Sequence, residues 1–370
     1  MRLQHFEALQ PVCPRCLYER GVPVHLVLAK ILIGHDDIVE EGVIHCSAAE
    51  CMHEYPIIDG IPILVPNLRG YLTEQQFAIA GREDLTETIE TLLGDGIGPG
   101  THYDSLRQHI SSYAWDGYGD LDPKETCAPD IAKPPRPGSV VRCLEQGLEL
   151  LRNSISAPVL DVGCAVGRST FELAGRCDGL VLGVDVNFSM LRLAQRALQN
   201  GFVRYPRRRV GVVFDRREFN VSFAGRERVD FWACDALALP FTSGSFSLVV
   251  GLNVLDCTSS PLEFLQAMGG LLRTDGATIL SSPYDWSQGV TQIEGWIGGH
   301  SQRGTHGGSS EALLRALLTP GGHPQSVEDL HLIAEAMNVP WQVRLHERST
   351  VSYSLHLFAA EARKSTQKSV

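Results

Sequence analysis

Three acidic residues stand at the ends of three short apolar runs, in an order that suits the binding of a nucleoside. The first run leads from Val159-Leu160 into Asp161-Val162-Gly163-Cys164-Ala165-Val166-Gly167-Arg168-Ser169 and passes at once into a helical pattern. Gly163 and Gly167 let backbone approach a ligand there, and the N-terminal amides of the following helix face it. The second run, Leu180-Val181-Leu182-Gly183-Val184, ends at Asp185, where a carboxylate can accept hydrogen bonds from both hydroxyls of a ribose. The third, Phe231-Trp232-Ala233-Cys234, ends at Asp235, placed to accept from an adenine amino group. Any one of these acids is explained as a turn or helix cap. Three at consecutive strand ends make that explanation harder, and the spacing is not the Gly-x-Gly-x-x-Gly of dinucleotide loops.

Four of the ten cysteines are also suggestively spaced. Cys13-Pro14-Arg15-Cys16 is answered by Cys46 and Cys51, with four residues between the latter two. Two cysteine pairs on two turns suit tetrahedral, structural zinc, a closed site with no open position for catalysis. His45 and His53 flank the second pair and offer substitute ligands.

A third group of residues follows a later strand-like run: Tyr284, Asp285 and Trp286, then Trp296 and His300. Its place after a C-terminal strand end is where a substrate binds in an open α/β sheet. Tyr284, Trp286 and Trp296 could hold a planar or cationic group by ring contacts, and Asp285, His300 or Tyr284 could handle a proton. The same aromatics are equally suited to packing in a core. Upstream, Tyr113 and Tyr118 lie in a helical stretch suited to act as a lid that contacts substrate, or simply to bury an aromatic face.

The elements that must position these groups alternate from Ser139 onward between short apolar runs and amphipathic helices. That pattern predicts an α/β, doubly wound, mostly parallel sheet. Before it, residues 1–69 read as a small zinc ribbon and 70–138 as a helical connecting region, ending in a proline-rich stretch that marks the domain boundary. The C-terminal Ala-Arg-Lys-Ser-Thr-Gln-Lys-Ser-Val reads as a frayed tail. At 370 residues, with 44% hydrophobic and 20% charged, the chain is long enough for two domains and has globular composition.

A net charge of −11 disfavours broad adhesion to nucleic acid. The arginines at 204, 207, 208, 209, 216 and 217 read as a solvated hairpin. No apolar run is long enough to span a membrane, and the first residues lack a signal-peptide core, which points to the cytoplasm, where thiols stay reduced.

On these motifs the chain resembles class I S-adenosylmethionine-dependent methyltransferases over about residues 139–362. The resemblance implies a Rossmann-like fold with an antiparallel last strand, supplied by Ser352–Ala360. It assigns Asp161, Gly163 and Gly167 to the amino-acid end of S-adenosylmethionine, Asp185 to its ribose, Asp235 with adjacent Ala236 to its adenine, and Asn253 to the vicinity of its sulfonium, with Cys164 and Val186 also among the cofactor-binding residues.

The N-terminal part, with Tyr-Pro-Ile-Ile-Asp-Gly-Ile-Pro-Ile-Leu after the second cysteine pair, resembles the small zinc-ribbon activators of RNA and protein methyltransferases. The order of Ser-Pro-Tyr-Asp-Trp and Trp-Ile-Gly-Gly is similar to the methyltransferase domain of ovothiol biosynthesis. The implied activity is methylation of a small molecule at an amine or imidazole nitrogen. Two alternatives stand beside it: an RNA or protein methyltransferase recruited through the ribbon, and a non-catalytic scaffold that keeps the fold.

Overall fold

The computed structural model describes residues 1–363 apart from 2, 59, 75–80, 83, 126–134, 152–154, 240, 288 and 305. Most of the proline-rich stretch and all but the first two residues of the expected frayed tail lie outside the described residues. The chain divides into two compact units. One comprises Met1–His109, Pro206–Arg216 and His346–Arg348; the other comprises Ile110–Tyr205, Arg217–Leu345 and Ser349–Val370.

In the first unit, α1 (Leu3–Leu9) and α2 (Pro14–Arg20) precede strands β1 (Leu26–His35), β2 (Ile38–Cys46), β3 (Glu54–Ile58) and β4 (Ile61–Pro62), which pair in chain order as an antiparallel sheet. Pro14 opens α2, where its missing N–H costs nothing, and Gly21 closes it in the left-handed region with φ +68°. Helices α3 (Leu68–Glu74) and α4 (Glu87–Ile97) follow. Their apolar faces join the sheet in a core containing Ile44, Tyr55, Ile57, Leu72, Ile89 and Leu93. Glu41 is buried in β2, and its carboxylate accepts from the Thr86 N–H at 3.0 Å and hydroxyl at 2.8 Å, which anchors the start of α4.

The division of the chain falls within helix α5 (His102–Tyr118), after His109. The second unit then runs α6 (Ser139–Leu150), β5 (Val159–Val162), α7 (Arg168–Ala174), β6 (Val181–Asp185) and α8 (Phe188–Asn200). A hairpin of β7 (Phe202–Val210) and β8 (Val213–Asn220) follows, its Pro206–Arg216 portion counted in the first unit, then β9 (Val229–Ala233), β10 (Phe246–Leu252), α9 (Pro261–Leu271) and β11 (Leu272–Ser282). Helix α10 (Ser310–Leu317) precedes the long strands β12 (Leu330–His346) and β13 (Ser349–Ala362).

Seven of these strands form one sheet in the order β12-β13-β11-β10-β5-β6-β9. The pairs β11/β10, β10/β5, β5/β6 and β6/β9 are parallel, and β13 is antiparallel to β11. The expected mostly parallel α/β sheet with an antiparallel closing strand is therefore present. Successive residues alternate between two apolar layers: Val159 and Leu357 pack with Trp115 and Phe171, whereas Leu160 and Phe358 pack with Phe264 and Met268. This period of two is what a strand covered on both faces requires. Chain order runs outward from β5 in both directions, so the β5/β10 boundary is the switch point, with a crevice beyond the strand C-termini.

Of the hairpin arginines Arg209 is exposed, as expected of a solvated hairpin, whereas others are paired and partly buried. Within the first unit Arg216 pairs with Glu90 at 2.6 Å; within the second Arg217 pairs with Asp122 at 2.6 Å and Arg204 with Glu218 at 3.0 Å. Glu218 lies within the hairpin, whereas Glu90 and Asp122 come from elsewhere in the chain and are partners that the local sequence does not reveal. No helix among the described residues is long and apolar enough to cross a membrane.

Candidate functional site

The glycine bend follows β5 at the switch point. Gly163 and Gly167 have φ of +70° and +83°, a region that disfavours side chains. The N–H groups of Gly163 and Cys164 both donate to Val184 O, at 2.8 and 3.0 Å, fixing the bend to β6. A Cβ on Gly163 would collide with Val254 Cγ2, and one on Gly167 would lie 2.6 Å from Phe231 Cζ and 2.7 Å from Ala194 Cβ. The glycines thus serve the protein's own packing as well as any ligand. The Cys164 side chain is buried, so its contribution to the bend is made by backbone.

Asp185 ends β6 and binds this bend directly. Its Oδ2 accepts from Ala165 N–H at 2.9 Å and its Oδ1 from Asn187 N–H at 2.7 Å. Each oxygen retains a further lone pair, which a pair of vicinal hydroxyls could occupy. Burial raises the carboxyl pKa against these backbone donors. Beside it Val186 and Phe188 are 78% and 67% exposed, an uncovered apolar surface suited to the face of a base. Asn187 meanwhile caps α8, its side chain accepting from Ser189 and Met190 N–H.

Asp161 lies deeper. Its Oδ2 accepts from Ser169 Oγ at 2.6 Å and Thr170 Oγ1 at 2.7 Å, and burial pushes its pKa up to about 6. Asp235 is exposed just beyond β9 and accepts from Leu237 N–H at 2.9 Å, so it forms a turn as well as facing solvent; Ala236 beside it is half-buried. Asn253, beyond β10, has φ +57° and is held by Ser281: its N–H donates to Ser281 O at 3.0 Å, and Ser281 Oγ donates to Asn253 Oδ1 at 2.8 Å. Asparagine is among the few non-glycine residues that enter this left-handed region readily, and the Ser281 bonds hold it there.

The residues expected on the substrate side divide. Tyr113 remains 47% exposed, while partial desolvation by the surrounding protein, followed by the proximity of Cys257, Asp185, Tyr353 and Asp256, pushes its pKa up to about 12. That environment joins Tyr113 to the Asp185 site. Asp256, which sequence reasoning alone misses, is buried and accepts from Ser282 Oγ at 2.9 Å; its pKa is raised by burial and by Asp285 nearby. Asp285 is exposed and accepts from the Tyr353 hydroxyl at 3.0 Å.

Tyr118 is a correction. It is fully buried and its hydroxyl donates to Val166 O at 2.6 Å, so it braces the glycine bend and does not face a substrate. Trp286 is 8% exposed and stacks on half-buried Trp296 with centroids 6.0 Å apart, so this pair packs largely against itself. The exposed His300 makes its hydrogen bond to Gly298 O at 3.0 Å, and among the described residues none joins it to Tyr284 or Asp285. Tyr284 instead meets His356 Nδ1 at 2.7 Å, a partner 72 residues away. A histidine within the apolar run of β13 was the signal for it, since a buried imidazole needs a partner.

In the first unit the sulfurs of Cys13, Cys16, Cys46 and Cys51 all lie within 4.8 Å of one another, and those of Cys16 and Cys46 are 3.7 Å apart. Zinc–sulfur bonds of about 2.3 Å set tetrahedral sulfur–sulfur edges near 3.8 Å, so the donor set fits zinc. His45 and His53 lie outside this cluster; His53 instead meets Arg15 Nη1 at 3.5 Å and packs edge-on to Tyr55.

Residues 160–280, the segment from β5 to β11, match the family described as "Methyltransferase domain". No curated protein matches the chain. Among solved structures, the YcgJ protein of Bacillus subtilis is 14% identical, covering 60% of this chain and 99% of its own, with a TM-score of 0.37. An S-adenosylmethionine-dependent methyltransferase from Methanosarcina mazei is 17% identical over 58% of this chain and 96% of its own, at 0.38. The N-methyltransferase NodS from Bradyrhizobium japonicum is 17% identical over 61% and 97%, at 0.37. Scores this low carry no weight for function; the domain match, together with the sheet order, supports S-adenosylmethionine-dependent methyl transfer.

Proposed function

We propose that the chain transfers the methyl group of S-adenosylmethionine to a nitrogen of a small amine- or imidazole-type acceptor. The observation that carries this reading is the sharing of one neighbourhood by Tyr113, Asp185 and Asp256, with Asp285 and Tyr353 beside them. An acidic, phenolic wall next to a ribose-binding acid attracts and orients a basic nitrogen.

S-adenosylmethionine, when bound, supplies an activated methyl and a good leaving group. Asp185 would hold its ribose, Asp235 and Ala236 its adenine, Val186 the face of the base, and the bend at Asp161, Gly163, Cys164 and Gly167 its amino-acid end. Asn253, fixed by Ser281, would border the reacting centre. Tyr113 would close over the acceptor and exclude water. In this reading residues 1–69 are a zinc ribbon held by Cys13, Cys16, Cys46 and Cys51, residues 70–138 a helical connection, and 139–370 the catalytic domain. The paired arginines of the hairpin and the acidic net charge favour a small acceptor over RNA.

The test is incubation with methyl-labelled S-adenosylmethionine and pooled amines and imidazoles, in parallel with tRNA and a protein extract, followed by mass spectrometry. Label on a small nitrogen compound supports the proposal. Label confined to RNA or protein contradicts it.

A further inference from the structure

A chain of hydrogen bonds crosses adjoining strands at the edge of the sheet that bears the candidate site. Tyr284 follows β11 with φ +57°, held there as its N–H donates to Ser282 Oγ at 2.9 Å. Its hydroxyl meets His356 Nδ1 on β13 at 2.7 Å, and His356 Nε2 meets Glu335 Oε2 on β12 at 3.0 Å. Both oxygens of Glu335 accept from Arg315 Nε of α10 at 2.9 Å.

Charge fixes the direction of this chain. Glu335, paired with Arg315, is an acceptor only, so His356 Nε2 carries the hydrogen. A neutral imidazole then presents a bare Nδ1, and the Tyr284 hydroxyl is the donor. Burial favours that neutral form and lowers the His356 pKa; Glu335 and Glu311 oppose the shift, and Arg315 adds to it. Side-chain exposure rises from 1% at His356 to 29% at Glu335 and 41% at Arg315, so the chain leads from the interior to water.

We propose that Tyr284, His356 and Glu335 are the exit path for the proton that an acceptor nitrogen loses on methylation, a role that rests on the reading of this site as a nitrogen methyltransferase. The nitrogen–hydrogen bond of the methylated acceptor breaks as a new O–H bond forms on Tyr284. The original Tyr284 proton moves to His356 Nδ1, leaving an imidazolium beside Glu335 that discharges to solvent. Ser282 Oγ, which accepts the Tyr284 N–H, also donates to Asp256 at the site, so Tyr284 is the member of the chain that would meet the acceptor; His356 and Glu335 are positioning residues that act through it.

The first measurement needs no turnover: nitrogen NMR of the full chain labelled in histidine, with His356 identified by H356Q. The expected spectrum at neutral pH has Nε2 protonated and Nδ1 bare, and Y284F changes the titration of this imidazole. The opposite tautomer overturns the proposal.

The second compares, above the pKa of both amines so that each enters as the free base, methyl transfer to N-methylbenzylamine, whose methylated product carries an N–H to lose, with transfer to N,N-dimethylbenzylamine, whose quaternary product carries none. Y284F and H356Q should slow the first by about 100-fold or more, the range expected for loss of general base help, and H356Q, which leaves the acceptor's contacts in place, should leave the second within about twofold. Equal slowing of both amines, or of neither, overturns the relay. Should the unaltered protein bind no S-adenosylmethionine by calorimetry, the methyltransferase reading itself fails, whatever the tautomer.

Discussion

Ala165 N–H donates to Asp185 Oδ2 at 2.9 Å, so the bend after β5 and the acid at the end of β6 are one assembly. Ala165 has φ +47°, a conformation that side chains avoid, and this bond is one of the contacts that hold it there. A carboxylate that both shapes the bend and keeps lone pairs free for a ligand couples the integrity of the loop to occupation of the site.

Replacing Gly163 by alanine should destabilise the chain by about 1–3 kcal/mol, from a collision with Val254 and from strain at φ +70°. Urea denaturation measures this. Adding Val254→Ala should recover the part due to the collision and leave the backbone strain; a double variant no better than the single one would show that Val254 is not the obstacle.

Tyr118→Phe should cost about 1–2 kcal/mol in the same assay, because the Val166 carbonyl loses its buried donor. Tyr113→Phe, whose hydroxyl lies at the site, should leave stability nearly unchanged and raise the acceptor KM. Exchange of these two outcomes would reverse the roles of the two hydroxyls.

Asp116 is buried, accepts from Ser139 and Val140 N–H at 2.7 and 3.0 Å, and has its pKa pushed up to about 6, chiefly by burial. Its folded value lies above the ordinary 3.8, so the fold binds the proton more tightly than the open chain does. The stabilisation it gives is therefore complete below the ordinary value and is lost as pH rises through about 6. The stability difference between the unaltered protein and Asp116→Asn should shrink between pH 4 and pH 7 in denaturation curves. A difference that grows over that window would contradict the assignment.

Metal analysis of the purified chain should find roughly one zinc per molecule, as a closed four-thiolate site requires. Cys46→Ser should lower that content, and chelation should lower the thermal midpoint. Full stability with no bound metal would remove zinc from the account.

Much of the sheet was legible because strands buried on both faces leave short apolar runs, and acids after them mark the ends. Asp161, Asp185 and Asp235 could be found that way. Local sequence could not distinguish Tyr113 from Tyr118, since only the partner of each hydroxyl separates them, and for Tyr118 that is Val166, 48 residues away. Trp286 and Trp296 had the composition of a binding wall, yet stacking on one another reduces what either can offer a ligand. Asp256 escaped notice because nothing in Leu-Asp-Cys, a helical turn after β10, reveals that Ser282 will meet it from the end of β11.

The most direct test of the account is calorimetric titration with S-adenosylmethionine of the unaltered chain and of Asp185→Ala, with circular dichroism to verify that both are folded. Saturable binding that weakens by about tenfold or more in the variant, a loss of at least about 1.4 kcal/mol, is the predicted result. Absence of binding, or an affinity indifferent to Asp185, would contradict it.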